Sequence, residues 1–372
     1  MFFLTIYAFC QEGDSSHWTM QYIKGIKDEA KRKNYDVCII ECGLDSSVFP
    51  PEISSVGSAI VLCSSYDWTK GICALLSNLY IKPILVGCDD NGEFSAIGYV
   101  LMDYKKAVHD LLDYFGTCHR KKVALFAVSL DSPADKIKAD SFLSYVGKNG
   151  ERYDQQDVFY FRGLTKNTCE SFISVCSNYD AVIGTNDVST VILLQMLSAN
   201  GIKVPDDIFV ASFGDASLSK STTSELTLAL LDCRNVGIQA TRMCATLSSS
   251  NFISGFVTRL NCEIDVRNST ANIPIGNRKI PTKIDGDMML HNSFFSDPHI
   301  NRIVIAEQVL EKCDSLDLEI MRALINREKY IDIADKLHVS ENTVKYRIKR
   351  LLNFAKIESR SELTELMKSY LM

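Results

Sequence analysis

Over the first 270 residues, short apolar runs alternate with stretches in which apolar side chains recur every three or four positions. The runs at 2–9 (FFLTIYAF), 36–41 (DVCIIE), 58–63 (SAIVLC), 83–87 (PILVG), 122–128 (KVALFAV), 156–161 (QDVFYF), 180–184 (DAVIG) and 207–213 (DIFVASF) predict strands. The periodic stretches at 18–33, 67–79, 104–115, 134–146, 166–178 and 187–199 predict helices. Alternation of this kind implies parallel α/β sheets, and strands that are apolar almost throughout imply helices on both faces. About ten strands is more than one such sheet usually needs, which points to two Rossmann-like lobes with a ligand cleft between them.

The pattern changes after residue 270. The stretch 271–314 opens with ANIPIGNRKIPTKIDGDMM, whose Pro, Gly, Asn and charge read as a linker. It ends in a helix at 299–313 with Ile303, Ala306, Leu310 and Cys313 on one side, placed for coupling, dimer contact or packing against the next domain. From 315 to 372 the period is helical throughout. A helix at 316–326 and a closing helix at 361–370 flank a central pair. In that pair Ile331, Ile333, Ala334 and Leu337 form one apolar face, and His338-Val339-Ser340 breaks the pattern. Ser340 is a good N-cap, with Thr343 the alternative. Val344, Ile348, Leu351 and Leu352 then recur on one side of a second helix, while Lys345, Tyr346, Arg347, Lys349 and Arg350 fill the other. Two short helices joined by a tight turn, the second basic on its outer face, describe a helix-turn-helix able to enter a DNA major groove. A solvated surface helix is the bland alternative, and the cap, turn and cation cluster acting together disfavour it.

IADKLHVSENTVKYRIKRLL…SRSEL resembles the LuxR-type helix-turn-helix over about residues 315–370. The resemblance implies double-stranded DNA as partner and a homodimer supported by the fourth helix. It places Lys345, Tyr346 and Lys349 at base edges or the groove, and Asn342, Thr343, Arg347 and Arg350 at phosphates or the groove wall.

The first 270 residues resemble a different family. HWTMQYIKGIKDEAKRKNYDV, IKPILVGCDD and HRKKVALF look like entries of the LacI/GalR-type, periplasmic-binding-protein-like sensor. The most specific match is DAVIGTNDVSTVILLQMLSANGIKVPDDIFVASFGDASLSKSTTSELTLALL, and FVTRLNCEIDVRNST resembles the last strand and its R-x-S-T ending. The resemblance implies lobes closing on a sugar or similar small metabolite. Matched positions are Trp18 as a stacking surface, Asn186 and Asp187 as polar groups after a strand, and Lys138 where an Arg is usual. Trp18 also suits a helix-start anchor, and Asn186 a helix N-cap. The family's ligand-binding Asp falls at Gly214, with Asp215 one position on, and a common polar residue after LT falls at Leu231, followed by Asp232. Asp215 and Asp232 are therefore the candidate substitutes. That family carries its DNA-binding headpiece at the N-terminus, whereas here the helix-turn-helix pattern lies C-terminal.

The expected architecture is thus α/β: a two-lobed sensor at 1–270, a linker and coupling helix at 271–314, and an all-α four-helix helix-turn-helix domain at 315–372. Composition sharpens this. The net charge is −6, yet from Asp314 onward eleven Lys and Arg face ten Asp and Glu, and six of those cations lie between Lys345 and Arg360 against one acid, Glu358. DNA affinity must come from that one face. The thirteen cysteines include no CxxC and mostly sit in apolar runs, as reduced core thiols would, so no disulfide framework or metal site is expected. MFFLTIYAFC lacks a basic n-region and reads as a first strand, and no apolar run approaches membrane-spanning length, so a cytoplasmic location is expected. No G-x-S-x-G, P-loop or HExxH occurs, and Asp14 and Asp45 read as caps or turns, so neither an enzyme nor a cofactor is expected. The resulting expectation is a ligand-responsive transcriptional regulator. The competing reading is a solute-binding or protein-docking sensor without direct DNA binding.

Overall fold

The computed structural model describes residues 4–14, 16–44, 53, 56–89, 94, 96–147, 150–214, 225–248, 255–270 and 298–371. In chain order the first part runs β1 (Thr5–Gln11), α1 (His17–Lys33), β2 (Asp36–Cys42), β3 (Ser58–Leu62), α2 (Tyr66–Asn78), β4 (Lys82–Val86) and β5 (Gly98–Met102). It continues with α3 (Tyr104–Thr117), β6 (Val123–Val128), α4 (Pro133–Leu143), β7 (Val158–Tyr160), α5 (Thr165–Ile173), β8 (Ala181–Gly184) and α6 (Asp187–Ala199). Then come β9 (Phe209–Gly214), β10 (Thr227–Leu230), α7 (Cys233–Ser248), β11 (Phe256–Leu260) and β12 (Ile264–Asp265).

Two six-stranded sheets result, ordered β11-β5-β4-β3-β1-β2 and β12-β10-β9-β8-β6-β7. Every pairing is parallel except β10 with β12. The chain passes between the lobes three times, from β5 to α3, from β10 to α7, and from β11 to β12. Strands β3, β5, β6, β8 and β9 are buried along their whole length, which is why β3, β6, β8 and β9 read as apolar runs. Strand β5, GYVLM, was not among the expected strands. It takes its place through pairing with β4 and β11.

Helix α1 starts at Ser16, whose hydroxyl accepts from Thr19 N at 3.3 Å, and ends at Asn34 in the left-handed conformation with φ 55°. It crosses α7 at backbone contact. A Cβ on Gly25 would lie 1.9 Å from Arg234 O, and one on Gly237 would lie 2.1 Å from Tyr22 O. Glu29, 3 % exposed, ties the same pair of helices together by accepting from Arg32 and from Arg242, the latter at 2.8 Å.

The R-x-S-T ending has a structural reason. Ser269 Oγ donates to Val210 O at 2.6 Å and accepts from Thr227 N at 2.8 Å, so one hydroxyl bridges β9 and β10. Thr270 Oγ1 lies 2.6 Å from Thr227 Oγ1, pinning the end of the two-lobed part to its second sheet.

The expected linker at 271–297 lies outside the described residues. Beyond it lie α8 (Pro298–Lys312), α9 (Ser315–Ile325), α10 (Tyr330–Lys336), α11 (Glu341–Ala355) and α12 (Arg360–Leu371). Ile320, Leu324, Ile333, Val344, Ile348, Leu351, Leu363 and Met367 form the centre of these helices. Helix α8 buries Ile303, Ala306 and Val309, touching α6 of the second lobe on one side and α11 and α12 on the other. The same apolar cluster therefore runs from β6 and α6 through α8 into the C-terminal helices. No described helix is long and apolar enough to cross a membrane.

Candidate ligand cleft and basic helix face

A cavity of about 340 Å³ lies between the lobes, at the carboxyl ends of the parallel strands. The first lobe lines it with Gln11 to Asp14 after β1, Trp18, Thr19 and Tyr22 of α1, and Cys63 to Ser65 after β3. The second lobe contributes Tyr104, Ser129, Asp131, Ser132, Asp135 and Lys138, together with Thr185 and Asn186 after β8. The two sides also meet directly, since Tyr66 N donates to Asp131 O at 2.8 Å.

Asp14 organises the first wall. Its carboxylate accepts from Ser16 N at 3.0 Å, from Thr19 Oγ1 at 2.7 Å, and from Ser64 Oγ. The cap or turn expected of Asp14 is therefore present, and the same side chain also faces the cleft. On the second wall Lys138, 4 % exposed, donates to Asp135 Oδ1 at 3.0 Å and to Thr185 O at 2.8 Å. Its ammonium sits 4.8 Å from the Tyr104 ring and 4.9 Å from the Phe213 ring. The other Asp135 oxygen accepts from Ser129 N at 3.1 Å. Burial pushes the phenols of Tyr22 and Tyr104 well above their ordinary value, so both stay neutral. Among the described lining residues Lys138 is the one cation, and it is matched by Asp135, which leaves Glu12, Asp14 and Asp131 to make the cleft acidic.

The expected ligand residues divide. Trp18, Lys138 and Asn186 line the cleft. Asn186 is also the N-cap of α6, its Oδ1 accepting from Ser189 N at 2.8 Å. Asp187 lies outside the lining and is buried. A Cβ on Gly214 would lie 2.2 Å from Asp187 Oδ2, so the carboxylate fills the space that a side chain at 214 would need. Asp232 is exposed at the start of α7, accepting from Asn235 N at 3.0 Å, while Leu231 before it lines the cleft. It works as a cap there rather than facing the cavity. Asp215 falls outside the described residues. Sequence reasoning missed Glu12, Ser64, Ser129, Asp131 and Asp135. The signal available for Glu12, Ser64, Ser129 and Asp131 was position, since each follows the carboxyl end of a predicted strand, whereas Asp135 lies in the first turn of a helix.

In the C-terminal helices, Ser340 Oγ accepts from Thr343 N at 3.1 Å and caps α11. Leu337 to Ser340 form the turn between α10 and α11, with His338 at φ 53°. Val344, Ile348, Leu351 and Ala355 are buried, and Asn342, Lys345, Tyr346 and Lys349 are exposed. Tyr346 is 69 % exposed, and Lys345 pairs along the helix with Glu341 at 2.8 Å. Thr343 is half-buried at the cap. Arg347 and Arg350 depart from the expected groove-facing role. Arg347 Nη1 donates to both Asp314 oxygens at 2.8 and 2.7 Å and to Asp317 Oδ1 at 2.9 Å. Arg350 donates to the other oxygen of Asp317, whose side chain is fully buried. Hydrogen bonds from Arg347 hold the Asp314 carboxyl at about 2, below the usual carboxylate range. These two arginines fasten α11 to the first turn of α9.

Residues 145–270 match the model of a periplasmic binding protein-like domain. Among curated proteins, the chain is 33% identical over 101 residues to the HTH-type transcriptional regulator GalR of Streptococcus thermophilus, covering 24% of this chain and 28% of that protein. It is 32% identical over 130 residues to the Killer toxin-resistance protein 5 of Saccharomyces cerevisiae, covering 32% of this chain and 9% of that protein. The chain thus spans less than a third of either curated relative. Among solved structures, the transcriptional regulator CelR–cellobiose complex aligns with TM-score 0.62 and 15% identity, over 71% of this chain and 84% of that one. CelR and the bacterial sequence relative are both named as transcriptional regulators. What these likenesses show is the fold, two parallel-sheet α/β lobes as in LacI-type sensor domains, with a periplasmic-binding-protein-like domain over residues 145–270.

Proposed function

We propose that this chain is a cytoplasmic, ligand-responsive transcriptional regulator in which the inter-lobe cleft senses a small molecule and α10–α11 act as a LuxR-type helix-turn-helix on DNA. The observation that carries the reading is α11 itself. It is capped by Ser340 and anchored by Val344, Ile348 and Leu351, with Asn342, Lys345, Tyr346 and Lys349 turned outward together. A short helix reads few base pairs and binds weakly alone, so the active species is a homodimer on paired half-sites.

Charge narrows the ligand. A phosphate held about 5 Å from Asp14 or Glu12 meets a repulsion of about 3 kcal/mol per charge pair at an effective dielectric of about 20. Hydroxyls and carboxylates around one aromatic wall suit a neutral polyhydroxylated ligand, such as a sugar, or one bearing an amine. Helix α6 begins at Asn186 in the cleft and carries α8 on its outer side, and α8 touches α11. Ligand contact at Asn186 thereby has a packed route to the DNA-facing helix, provided that the ligand favours one arrangement over the other.

The test is binding of the full chain to DNA from upstream of its own operon, followed by fluorescence anisotropy over a salt series. Salt-sensitive binding is expected, and the double variant K345A/K349A should flatten the slope of log K against log salt by about 0.9 per lost phosphate contact. The absence of salt-sensitive binding at any concentration would favour a protein-docking role for the C-terminal helices. A thermal-shift screen of sugars, amino sugars and sugar phosphates on the same chain reads the cleft independently, because a ligand of the folded state raises the midpoint.

A further inference from the structure

Thirteen cysteines are present, and none is joined in a disulfide. Two of them are brought together by the sheet. Cys63 directly follows β3, and Cys88 lies two residues after β4, the neighbouring parallel strand. Cys63 N continues the ladder by donating to Val86 O at 2.9 Å. Gly87, at φ +90°, then turns the chain in a way that L side chains rarely adopt. The outcome is a Cys63 Sγ to Cys88 Sγ separation of 3.0 Å, about 1 Å beyond the covalent S–S length of about 2.05 Å.

The two thiols are not equivalent. Cys63 is partly exposed and lines the cleft, so a small oxidant in the cavity reaches it. Cys88 is 1 % exposed and does not line the cavity, and its sulfur lies against that of Cys63. Burial pushes the Cys88 thiol well above its ordinary value, which keeps it protonated and unreactive towards oxidant on its own.

We propose that Cys63 and Cys88 form an oxidisable dithiol, at which a hydroperoxide entering the cleft is reduced and the first lobe's wall becomes crosslinked. Cys63 Sγ attacks the outer peroxide oxygen, and its proton passes to the leaving oxygen. The O–O bond breaks, the alcohol or water leaves with a proton, and Cys63 becomes a sulfenic acid. Cys88 Sγ then attacks the Cys63 sulfur. The S–S bond forms, the S–O bond breaks, and the oxygen leaves as water with the Cys88 proton. Two thiols lose two electrons and one hydroperoxide gains them. The second step is intramolecular between atoms already in contact, so it outruns intermolecular alternatives. The crosslink joins the ends of β3 and β4 beside Ser64, so it alters the same wall that Asp14 organises. A bound ligand covering Cys63 shields it in turn.

The test uses the full chain, reduced and freed of reductant, then treated with one equivalent of hydrogen peroxide, alkylated and mapped by peptide mass spectrometry. The Cys63–Cys88 disulfide peptide is expected to exceed any other disulfide peptide by about tenfold and to vanish with dithiothreitol. In Cys88→Ser the oxidation stops at Cys63 and is trapped as a dimedone adduct, whereas in Cys63→Ser residue 88 remains a free thiol. Wild-type protein in which other cysteines oxidise while 63 and 88 stay unlinked overturns the proposal. So does equal oxidation of Cys88 with and without Cys63. The wild-type map needs no variant to fold.

Discussion

Replacing Arg347 by Ala separates structural cations from those proposed to face nucleic acid. Arg347 is 21 % exposed and donates to Asp314, which is half exposed, and to Asp317, which is fully buried. The contact with Asp314 is wet and contributes little. The contact with Asp317 is a charge-assisted hydrogen bond of a kind that contributes about 1.5–3 kcal/mol. Arg350 stays on the other Asp317 oxygen, so the buried carboxylate keeps one partner and the full 3–5 kcal/mol cost of an orphaned buried charge, an approximate range, is not reached. Arg347→Ala is therefore expected to lose about 1–2 kcal/mol in urea unfolding followed by far-ultraviolet circular dichroism. Asp317→Ala, which strips both arginines of their acceptor, should lose more, about 2–4 kcal/mol. Lys349→Ala should leave stability within about 0.5 kcal/mol of wild type and flatten the salt slope of DNA binding instead. A result in which Arg347→Ala is as stable as wild type and flattens the salt slope by about 0.9 would refute the assignment, because Arg347 would then face phosphate.

Two further outcomes follow from the helix contacts. Gly237→Ala gains helix propensity of about 1 kcal/mol but puts a methyl 2.1 Å from the Tyr22 carbonyl, where no side chain can swing away. Overpacking wins, and a net loss of about 1–2 kcal/mol is expected in thermal melts. Gly116→Ala in α3, with nothing within 4 Å, should be neutral or stabilising, and equal midpoints for the two variants would argue against backbone contact between α1 and α7. In acid, Glu29 and Asp314 act in the same direction. Hydrogen bonds, from Arg32 above all to Glu29 and from Arg347 to Asp314, lower both carboxyls to about 2, from ordinary values of 4.5 and 3.8. Their stabilisation is fully present above those ordinary values and lost as pH falls towards about 2, so unfolding midpoints should drop across that window. In the isosteric, uncharged amides Glu29→Gln and Asp314→Asn that part of the drop should disappear.

The two-lobed fold could be read from the chain because its strands are buried on both faces. VALFAV and FVASF leave no alternative face to expose, and their runs are unbroken for that reason. The apolar side of α11 was equally visible, since Val344, Ile348 and Leu351 obey the helical period. What periodicity does not carry is the partner across space. Lys349 and Arg350 are neighbouring cations in sequence, yet Arg350 meets a buried carboxylate thirty-three residues earlier, whereas among the described residues Lys349 pairs with no acid. Asp14 looked like an isolated turn acid because its cleft role depends on β1 lying beside β3, which brings Ser64 to it from fifty residues away. Gly214 looked like a lost ligand group, and Asp187 was expected at the ligand. The two observations are one, because the Asp187 carboxylate occupies the place where a side chain at 214 would stand.

The packing also bears on whether sensing and output could act as independent modules. Independent domains usually meet through modest, polar interfaces, and relative motion is then the default. Here Ile303, Ala306 and Val309 of α8 are at most 5 % exposed and belong to one apolar cluster with Val188, Val191 and Leu194 of α6 and with Ile348 and Leu351 of α11. Moving α11 relative to the second lobe therefore exposes apolar surface or repacks it, and packed interfaces of this kind switch between discrete arrangements rather than sliding continuously. Burial at about 25 cal/mol per Å² makes even 100 Å² of such exposure cost about 2.5 kcal/mol, comparable with the 1–3 kcal/mol coupling that separates typical allosteric states. On the proposed function, a ligand whose preference for one lobe arrangement is of that size would be enough to choose the position of α11, with α6 and α8 as the elements between them.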